Sequence, residues 1–253
     1  MCIISDRFSF TIKEFLILAL TLLAFECNSM KNYPAEAFFS GTQLSLAQAI
    51  ERGERSEVKE LLTHTELNRP GAQDMTILFF AMQKSYNKNP NNLKIVSDLV
   101  RAGADPLQQV PDFGSVADAA SRSNDPAFIA ALIDGGMSPN AEVDDAPIIF
   151  GAASEHSKNV LQYLVSKGAD VNKKDSLGQT VLIESLSGFQ LDNVTWLLNN
   201  GADPRVRTDN GWGFNNMLSK IIERQDNEKN KTKLENIRKL AVSKGMQWPP
   251  SDY

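Results

Sequence analysis

A three-residue phrase returns along this chain at intervals of about 33 residues. Gly-Ala-Asp occurs at Gly103–Asp105, Gly168–Asp170 and Gly201–Asp203, and a degenerate copy begins at Gly136. A regular period of this length is the signature of a chain that stacks one small supersecondary unit on the next. It therefore predicts an elongated stack, in which each unit buries the apolar face of its neighbour, rather than one large compact core.

The stretch from Asp175 to Pro204 shows how one unit is expected to fold. Its apolar residues fall at helical spacing in two short runs that are separated by Gly188. Thr180 and Asp192 are predicted to cap the two helices, and Gly201 to end the second helix in the left-handed conformation. Helices this short are not stable alone, so stacking against neighbouring units must supply the burial.

These units resemble ankyrin repeats at several fixed positions. The resemblance is carried by Ala146–Ile149 with the following Ala152 and Ala153, by Lys167–Asn172 and by Thr76–Leu78. It implies an all-α fold, an ankyrin-repeat solenoid of about five to six helix-turn-helix units joined by short finger loops. The units are expected at about 41–70, 71–107, 108–142, 143–174, 175–206 and 207–250.

The first thirty residues have the pattern of an export signal. The run Phe15–Phe25 is uncharged and follows the basic residues Arg7 and Lys13, as in a secretory signal peptide. It is shorter than the ~20 residues that a membrane-spanning helix needs, and an N-terminal core helix is the alternative interpretation. The chain is therefore divided into a signal peptide (1–29), a linker (30–40), an ankyrin-repeat domain (41–250) and a tail (251–253).

The site of signal cleavage is left open between two interpretations. Cys27 follows the apolar run in the way that the acylated cysteine of a bacterial lipoprotein does, but Glu26 is larger than the residue such a signal places there. Ordinary cleavage after Ser29 is the alternative. Cys2 is the other cysteine, so the body from residue 28 onward has none. A thiol-free body suits an oxidising compartment, and we expect the periplasm of a Gram-negative bacterium, with membrane attachment only through a lipid on Cys27.

Composition and charge exclude several classes of function. The net charge of −5 has the wrong sign for electrostatic binding of nucleic acid. The two cysteines and two histidines, His64 and His156, are too few for a thiolate-based zinc site. No phosphate-binding loop, dinucleotide-binding glycine motif or Gly-x-Ser-x-Gly sequence occurs. We therefore expect no enzyme, no metal and no cofactor, and a protein as the partner.

The loops that join successive units, together with the concave face of the first helices, form the predicted binding surface. Aromatic and arginine side chains often anchor interfaces, and acidic loops select partners of complementary charge. Asp144 and Asp145 have three interpretations: a catalytic or calcium-binding pair, a solvated turn, or a contact to a basic partner. The last two are favoured because no EF-hand spacing is present. Trp212 has a second interpretation, which is to seal the last unit with Phe214. The candidates are Gln108, Asp112, Phe113, Asp144, Asp145, Asp175, Arg205, Arg207 and Trp212.

The whole chain is also similar to small periplasmic ankyrin-repeat proteins that are immunity partners of lipase-type toxins of type VI secretion systems. The similarity rests on the signal segment, on Gly71–Thr76 and on Gly245–Pro250. It implies a protein that binds and neutralises a phospholipase or lipase toxin in the periplasm. The alternatives are a periplasmic adaptor or stress protein that supports another envelope enzyme without inhibiting it, an envelope-tethering protein and, least favoured, a hydrolase.

Overall fold

The computed structural model describes residues 34–87 and 89–250, and these form a row of six helix pairs. Successive pairs pack on one another, so the solenoid predicted from the repeat period is confirmed. In the fourth pair the first member is a 3-10 helix, Ile148–Ala153. The α-helices are α1 (Gly41–Arg52), α2 (Arg55–Leu62), α3 (Ile77–Lys84), α4 (Pro90–Arg101), α5 (Val116–Ser121), α6 (Pro126–Gly135), α7 (Lys158–Ser166), α8 (Val181–Ser187), α9 (Leu191–Asn199), α10 (Phe214–Glu223) and α11 (Glu228–Ser243).

The core follows the repeat. The aliphatic residue four positions before each unit glycine is completely buried at Leu99, Leu132, Leu164 and Leu197. Each of these side chains contributes about 1.5–3 kcal/mol by leaving water. Because they lie on the second helices, one strip of apolar contact runs from unit to unit and takes the place of a single central core.

The second helices end as the unit glycines predict. Gly103, Gly136, Gly168, Gly201 and Gly245 all have φ between 92° and 116°. This is the left-handed region that glycine enters at little cost, and it turns the chain out of the helix and towards the next unit. The prediction made for Gly201 is confirmed.

Of the two caps predicted for the fifth unit, the position of Thr180 is confirmed without its side-chain bond, and Asp192 is wrong. Thr180 is the N-cap residue of α8, but its hydroxyl makes no capping bond and is buried without a protein partner. Helix α9 begins at Leu191, so Asp192 lies inside its first turn. There its carboxylate accepts a hydrogen bond from Lys233 Nζ at 3.0 Å. A carboxylate in the first turn still complements the helix dipole, but its hydrogen-bond partner comes from α11.

Two of the loops between units are short antiparallel β-hairpins, and a third contains an isolated bridge between Arg207 and Gly213. Main-chain hydrogen bonds therefore stiffen these loops. The strands are β1 (Gln109–Val110) paired with β2 (Gly114–Ser115), and β3 (Glu142–Val143) paired with β4 (Ala146–Pro147).

Three asparagines link successive units in the same way. Asn140 donates from Nδ2 to the carbonyl of Gly168 at 3.0 Å and accepts from the main-chain N–H of Asp170 at 2.7 Å. Asn68 and Asn172 make the same pair of bonds to the Gly-Ala-Asp segments of the units that follow them. We call each such pair of bonds an asparagine rung. The rungs satisfy main-chain groups at helix ends that would otherwise have no partner.

Residues 34–39, at the end of the segment predicted as a linker, pack against the first two units. The rings of Phe38 and Phe39 lie edge-on to Phe80, with centroid distances of 6.3 and 5.4 Å. The predicted signal segment, Cys27 and the tail 251–253 lie outside the described residues. Within residues 34–87 and 89–250, no helix combines the length and the apolar character needed to cross a membrane.

Candidate partner-binding surface

Five loops, which we call fingers 1 to 5, each join the second helix of one unit to the first helix of the next. All nine predicted contact residues lie on fingers 2 to 5. The fingers are 68–75, 105–114, 140–147, 172–179 and 203–212.

The tip of finger 2 presents the exposed aromatic residue Phe113 beside the exposed acid Asp112. Phe113 is 46% exposed, and its ring centroid lies 5.7 Å from that of Phe79 on α3. Asp112 is exposed at the turn with φ of 65°, a region that aspartate tolerates better than most residues. Gln108 is half-buried and donates from Nε2 to the carbonyl of Asn68 at 3.0 Å. Gln108 therefore braces finger 2 against finger 1, and its side chain is not free to meet a partner.

Finger 3 carries two exposed carboxylates at its tip. Asp144 and Asp145 form the turn between β3 and β4, with φ of 50° and 63°. Two consecutive positive φ angles are typical of the tight hairpin turn that favours Asn, Asp and Gly. Neither carboxylate forms an ion pair in the described part of the chain, so both charges are presented to solvent.

Finger 4 contains an acid that holds the turn together and a leucine that is exposed to solvent. Asp175 Oδ1 accepts from the main-chain N–H groups of Leu177 and Gln179 at 2.9 and 2.8 Å, so this carboxylate shapes the turn. The side chain of Leu177 is 62% exposed. Leu177 was not among the predicted contact residues. The signal that could have found it is an apolar residue inside the Asp-Ser-Leu-Gly turn, where a polar side chain is the usual choice.

The cations predicted on finger 5 are held by groups of the same finger or of α10. Arg205 forms a two-point ion pair with Asp203 at 2.8 and 2.9 Å, and this hydrogen bonding lowers the pKa of Asp203. Arg207 donates to the carbonyl of Gly211 at 2.8 Å. The ring of Trp212 is half-buried, with Lys220 Nζ 4.3 Å from its centroid. The arginines are therefore less available to a partner than their count in the sequence indicates.

Main-chain hydrogen bonds join fingers 3, 4 and 5 into a continuous row. Ser176 N–H donates to the carbonyl of Asp145 at 3.1 Å, and Asp209 N–H donates to the carbonyl of Leu177 at 3.2 Å. Lys174 Nζ adds a bond to the carbonyl of Arg207 at 3.0 Å. In the described part of the chain, no hydrogen bond joins finger 2 to finger 3. Fingers 3 to 5 thus form one braced surface.

A groove beside finger 3 has more acidic than basic residues in its lining. Its lining includes Asp118, Asp144 and Glu184 with a single cation, Arg122. Arg122 Nε is bonded to Asp118 at 3.0 Å, which leaves the groove with a net negative charge. The groove and the tip of finger 3 therefore share one sign of charge, which favours a basic partner.

The two histidines and the ion pair between Arg55 and Asp98 lie outside the fingers. His64 and His156 are both exposed, and the described residues contain no group of three or more His, Cys, Asp or Glu side chains placed to hold a metal ion. Sequence reasoning missed a partly buried ion pair between α2 and α4. Arg55 binds both carboxylate oxygens of Asp98 at 2.6 and 3.0 Å. Burial alone would raise the pKa of Asp98, but the hydrogen bonds and charge of Arg55 hold it below its usual range.

Comparisons with known proteins agree on the repeat. Residues 117–208 match the family model of ankyrin repeats in three copies. Protein PhlB of Serratia liquefaciens is 27% identical over 147 residues, which cover 57% of this chain and 62% of PhlB. The ankyrin repeat and KH domain-containing protein mask-1 of Caenorhabditis elegans is 32% identical over 106 residues, which cover 42% of this chain and 4% of mask-1. The chain thus spans less than two thirds of either relative.

Solved structures match the fold at low sequence identity. The ankyrin repeat domain of Bcl-3 superposes with a TM-score of 0.60 and 21% identity, over 80% of this chain and 86% of that domain. An ankyrin repeat domain from Acinetobacter baumannii gives a TM-score of 0.55 and 20% identity, over 79% and 97% of the two chains. Identities this low establish the shared architecture only.

Proposed function

Because this chain is an ankyrin-repeat protein, built as a protein-binding module, we propose that it is an exported immunity protein. In this proposal it binds and neutralises a phospholipase or lipase toxin in the periplasm of a Gram-negative bacterium. The observation that carries the binding role is the braced row of fingers 3 to 5, which presents exposed acidic and apolar side chains on loops that are already ordered. Ordered loops lose little conformational entropy when they bind.

Charge supports a partner with a basic surface. Asp144 and Asp145 stand exposed at the tip of finger 3, beside a groove of the same sign. Complementary charge speeds the encounter of two proteins and suppresses binding to wrong partners. An inhibitor of this kind would block a toxin by covering the entrance to its active site with the finger row.

The N-terminal segment and the similarity to a bacterial protein support the proposed periplasmic location. The basic and apolar N-terminal segment has the pattern of a signal peptide, and Cys27 is the residue that a lipoprotein would acylate. A bacterial relative, PhlB, matches over more than half of this chain. A periplasmic adaptor or stress protein would share both features, so the experiment must separate inhibition from attachment.

Protection from a toxin is the direct test. A candidate phospholipase or lipase toxin is directed to the periplasm of a sensitive host that expresses the chain with or without residues 1–29. We expect survival only with the exported form, together with a stable complex of chain and toxin and a loss of lipase activity in that complex. Binding without loss of lipase activity would instead support the adaptor alternative. An absence of both protection and complex would reject the proposal.

The finger charges provide a more specific prediction. Asp144→Asn combined with Asp145→Asn removes two charges but keeps residues that tolerate positive φ, whereas lysine at these positions would add strain. We expect toxin affinity to fall about tenfold with little change in thermal stability. The matched control is Asp134→Asn with Asp226→Asn, which removes two exposed charges away from the fingers. Equal affinity of the two double variants, measured by calorimetry, would remove finger 3 from the interface.

A further inference from the structure

A cleft of about 510 Å³ opens between fingers 4 and 5. Leu177 is the most exposed large apolar side chain of the described residues, and it shares this cleft with the indole ring of Trp212. Single exposed apolar residues are common on protein surfaces, but a leucine and a tryptophan that line one cleft form a concave apolar site. The lining is Leu177, Gln179, Thr208, Asp209, Asn210 and Trp212.

The walls of this cleft are held in place before anything binds. The main-chain bond from Asp209 to Leu177 ties one finger to the other. The main-chain N–H of Thr208 donates to the carbonyl of Trp212 at 2.8 Å, and its hydroxyl lies 2.6 Å from Asn210 Oδ1 and 2.8 Å from the same carbonyl. Lys220 Nζ lies 4.3 Å from the indole centroid, within the range of a cation–π contact. A partner side chain would therefore enter a formed site, and little binding energy would be lost to ordering the loops.

The charges around the cleft show which kind of partner fits. Three cations are held on fingers 4 and 5 or on α10: Lys174 and Arg207 donate to main-chain carbonyls, and Lys220 lies over the indole ring of Trp212. Asp209 at the rim has no ion-pair partner in the described part of the chain, and neither have Asp144 and Asp145 one finger away. The main-chain bond from Ser176 to Asp145 ties finger 3 to finger 4, which lines the cleft.

We propose that the cleft between fingers 4 and 5 receives an apolar side chain from a loop of a partner protein, and that a lysine or arginine of the same loop meets Asp144 and Asp145. Stacked helices lie about 8–10 Å apart, so the apolar and basic residues of the partner should be separated by about that distance. The apolar residue supplies the anchor, and the basic residue sets the orientation. This inference rests on the proposed function and adds the chemistry of the partner.

The test uses the full chain and a phage-displayed library of short disulfide-constrained loops. Selected loops are expected to combine an aromatic or large aliphatic residue with lysine or arginine, and to bind more weakly as salt concentration rises. Leu177→Ser should weaken a selected loop about tenfold, and Asp144→Asn with Asp145→Asn by a smaller factor. Val242→Ser is the matched control, because it removes an exposed apolar side chain on α11, outside the lining of the cleft.

Several results would overturn the inference. They are an absence of enriched loops, enrichment of acidic or uncharged loops, or equal affinity for the original chain and Leu177→Ser. Unchanged thermal unfolding of Leu177→Ser, expected for a side chain that is mostly exposed, shows that a loss of binding is not a loss of folding.

The same variants in the toxin-protection assay separate the two proposals. If the original chain protects and Leu177→Ser protects equally well, the proposed function stands and the cleft is rejected as the anchor. If the original chain fails to protect but binds basic–apolar loops through Leu177, the cleft stands and the immunity role is rejected.

Discussion

The seams between units 3, 4 and 5 have hydrogen bonds between their fingers, whereas among the described residues the seam between units 2 and 3 has none there. Units 3, 4 and 5 are joined at their fingers, by the rungs of Asn140 and Asn172 and by the main-chain bonds between fingers. Between units 2 and 3, Leu107 stands where the rung asparagine would be. There the second helices make the link instead: Ser97 Oγ donates to the carbonyl of Ala131 at 2.9 Å.

This difference shows that the same repeat can form fingers that are joined by hydrogen bonds, as fingers 3 to 5 are, and fingers that are not, as between fingers 2 and 3 of the described chain. Helices α4 and α6 approach so closely that a Cβ atom at Gly135 would lie 2.6 Å from Val100 Cβ. Close packing at the second helices keeps the units together without fixing their fingers. Hydrogen bonds at the fingers, which are directional, fix the loops themselves. The candidate surface lies at the seams where hydrogen bonds join the fingers.

The largest expected effect comes from breaking the link between fingers 4 and 5. Gly178 has φ of 76°, and a Cβ atom there would lie 2.5 Å from Asp209 Oδ1 and 2.9 Å from its main-chain nitrogen. We expect Gly178→Ala to cost about 2–4 kcal/mol, from backbone strain and displacement of finger 5. Gly201→Ala is the control, since its φ is also positive but nothing lies within 4 Å. It should cost about 1–2 kcal/mol. Urea unfolding compares the two, and equal losses would mean that finger 5 is not held by finger 4.

Removing a rung should have the next largest effect. Asn140→Ala leaves Gly168 O and Asp170 N–H without their partner, and we expect a loss of about 1–2 kcal/mol. Hydrogen exchange at the Asp170 amide should quicken at the same time. Asn236→Ala, an exposed asparagine on α11, is the control and should change neither quantity. An unchanged Asp170 exchange rate would show that the rung does not hold this seam.

The sequence predicted the parts of this fold that depend on spacing within one unit. The glycines, the buried aliphatic positions and the order of helix and finger all follow from the 33-residue period. The sequence did not predict hydrogen bonds to side chains of a neighbouring unit. Asp192 looked like a cap, but its carboxylate is bonded to Lys233, 41 residues later in the chain. Thr180 looked like a cap, and its hydroxyl is buried without a protein partner.

The candidate site shows the same division. Spacing placed all nine predicted residues on the fingers, but it could not show which of them are already engaged. Asp175 accepts from its own turn, Arg205 is paired with Asp203, and Gln108 bonds to finger 1. Leu177 was missed because an exposed leucine and a buried one look alike in a sequence. Whether any of the nine contacts a partner remains a prediction.

Acid should weaken the seam between units 1 and 2 while leaving the finger rungs intact. The pKa of Asp98 is lowered in the folded state, so its pair with Arg55 stabilises the fold above the unfolded pKa of about 4. That contribution is lost as the pH falls through the folded pKa of Asp98. We expect this loss, measured as thermal stability between pH 6 and pH 3, to be smaller than the effect of Asn140→Ala. Asp98→Asn, which cannot ionise, should flatten this part of the profile, and an unchanged profile would contradict the assignment.

The smallest expected effect comes from adding a rung where the stack lacks one. Leu107→Asn would place an amide within reach of the carbonyl of Gly136 and the N–H of Ser138, as Asn140 reaches Gly168 and Asp170. Leu107 is half-buried, so the lost apolar contact offsets most of the gain, and we expect a net change within about 0.5 kcal/mol. The sharper measurement is hydrogen exchange at the main-chain amide of Ser138. This N–H donates to no protein acceptor in the described chain, and it should become protected in Leu107→Asn. If the Ser138 amide stays unprotected, the absence of an asparagine at position 107 is not what keeps fingers 2 and 3 from bonding to each other. The packing of α4 against α6 would then set the spacing of this seam.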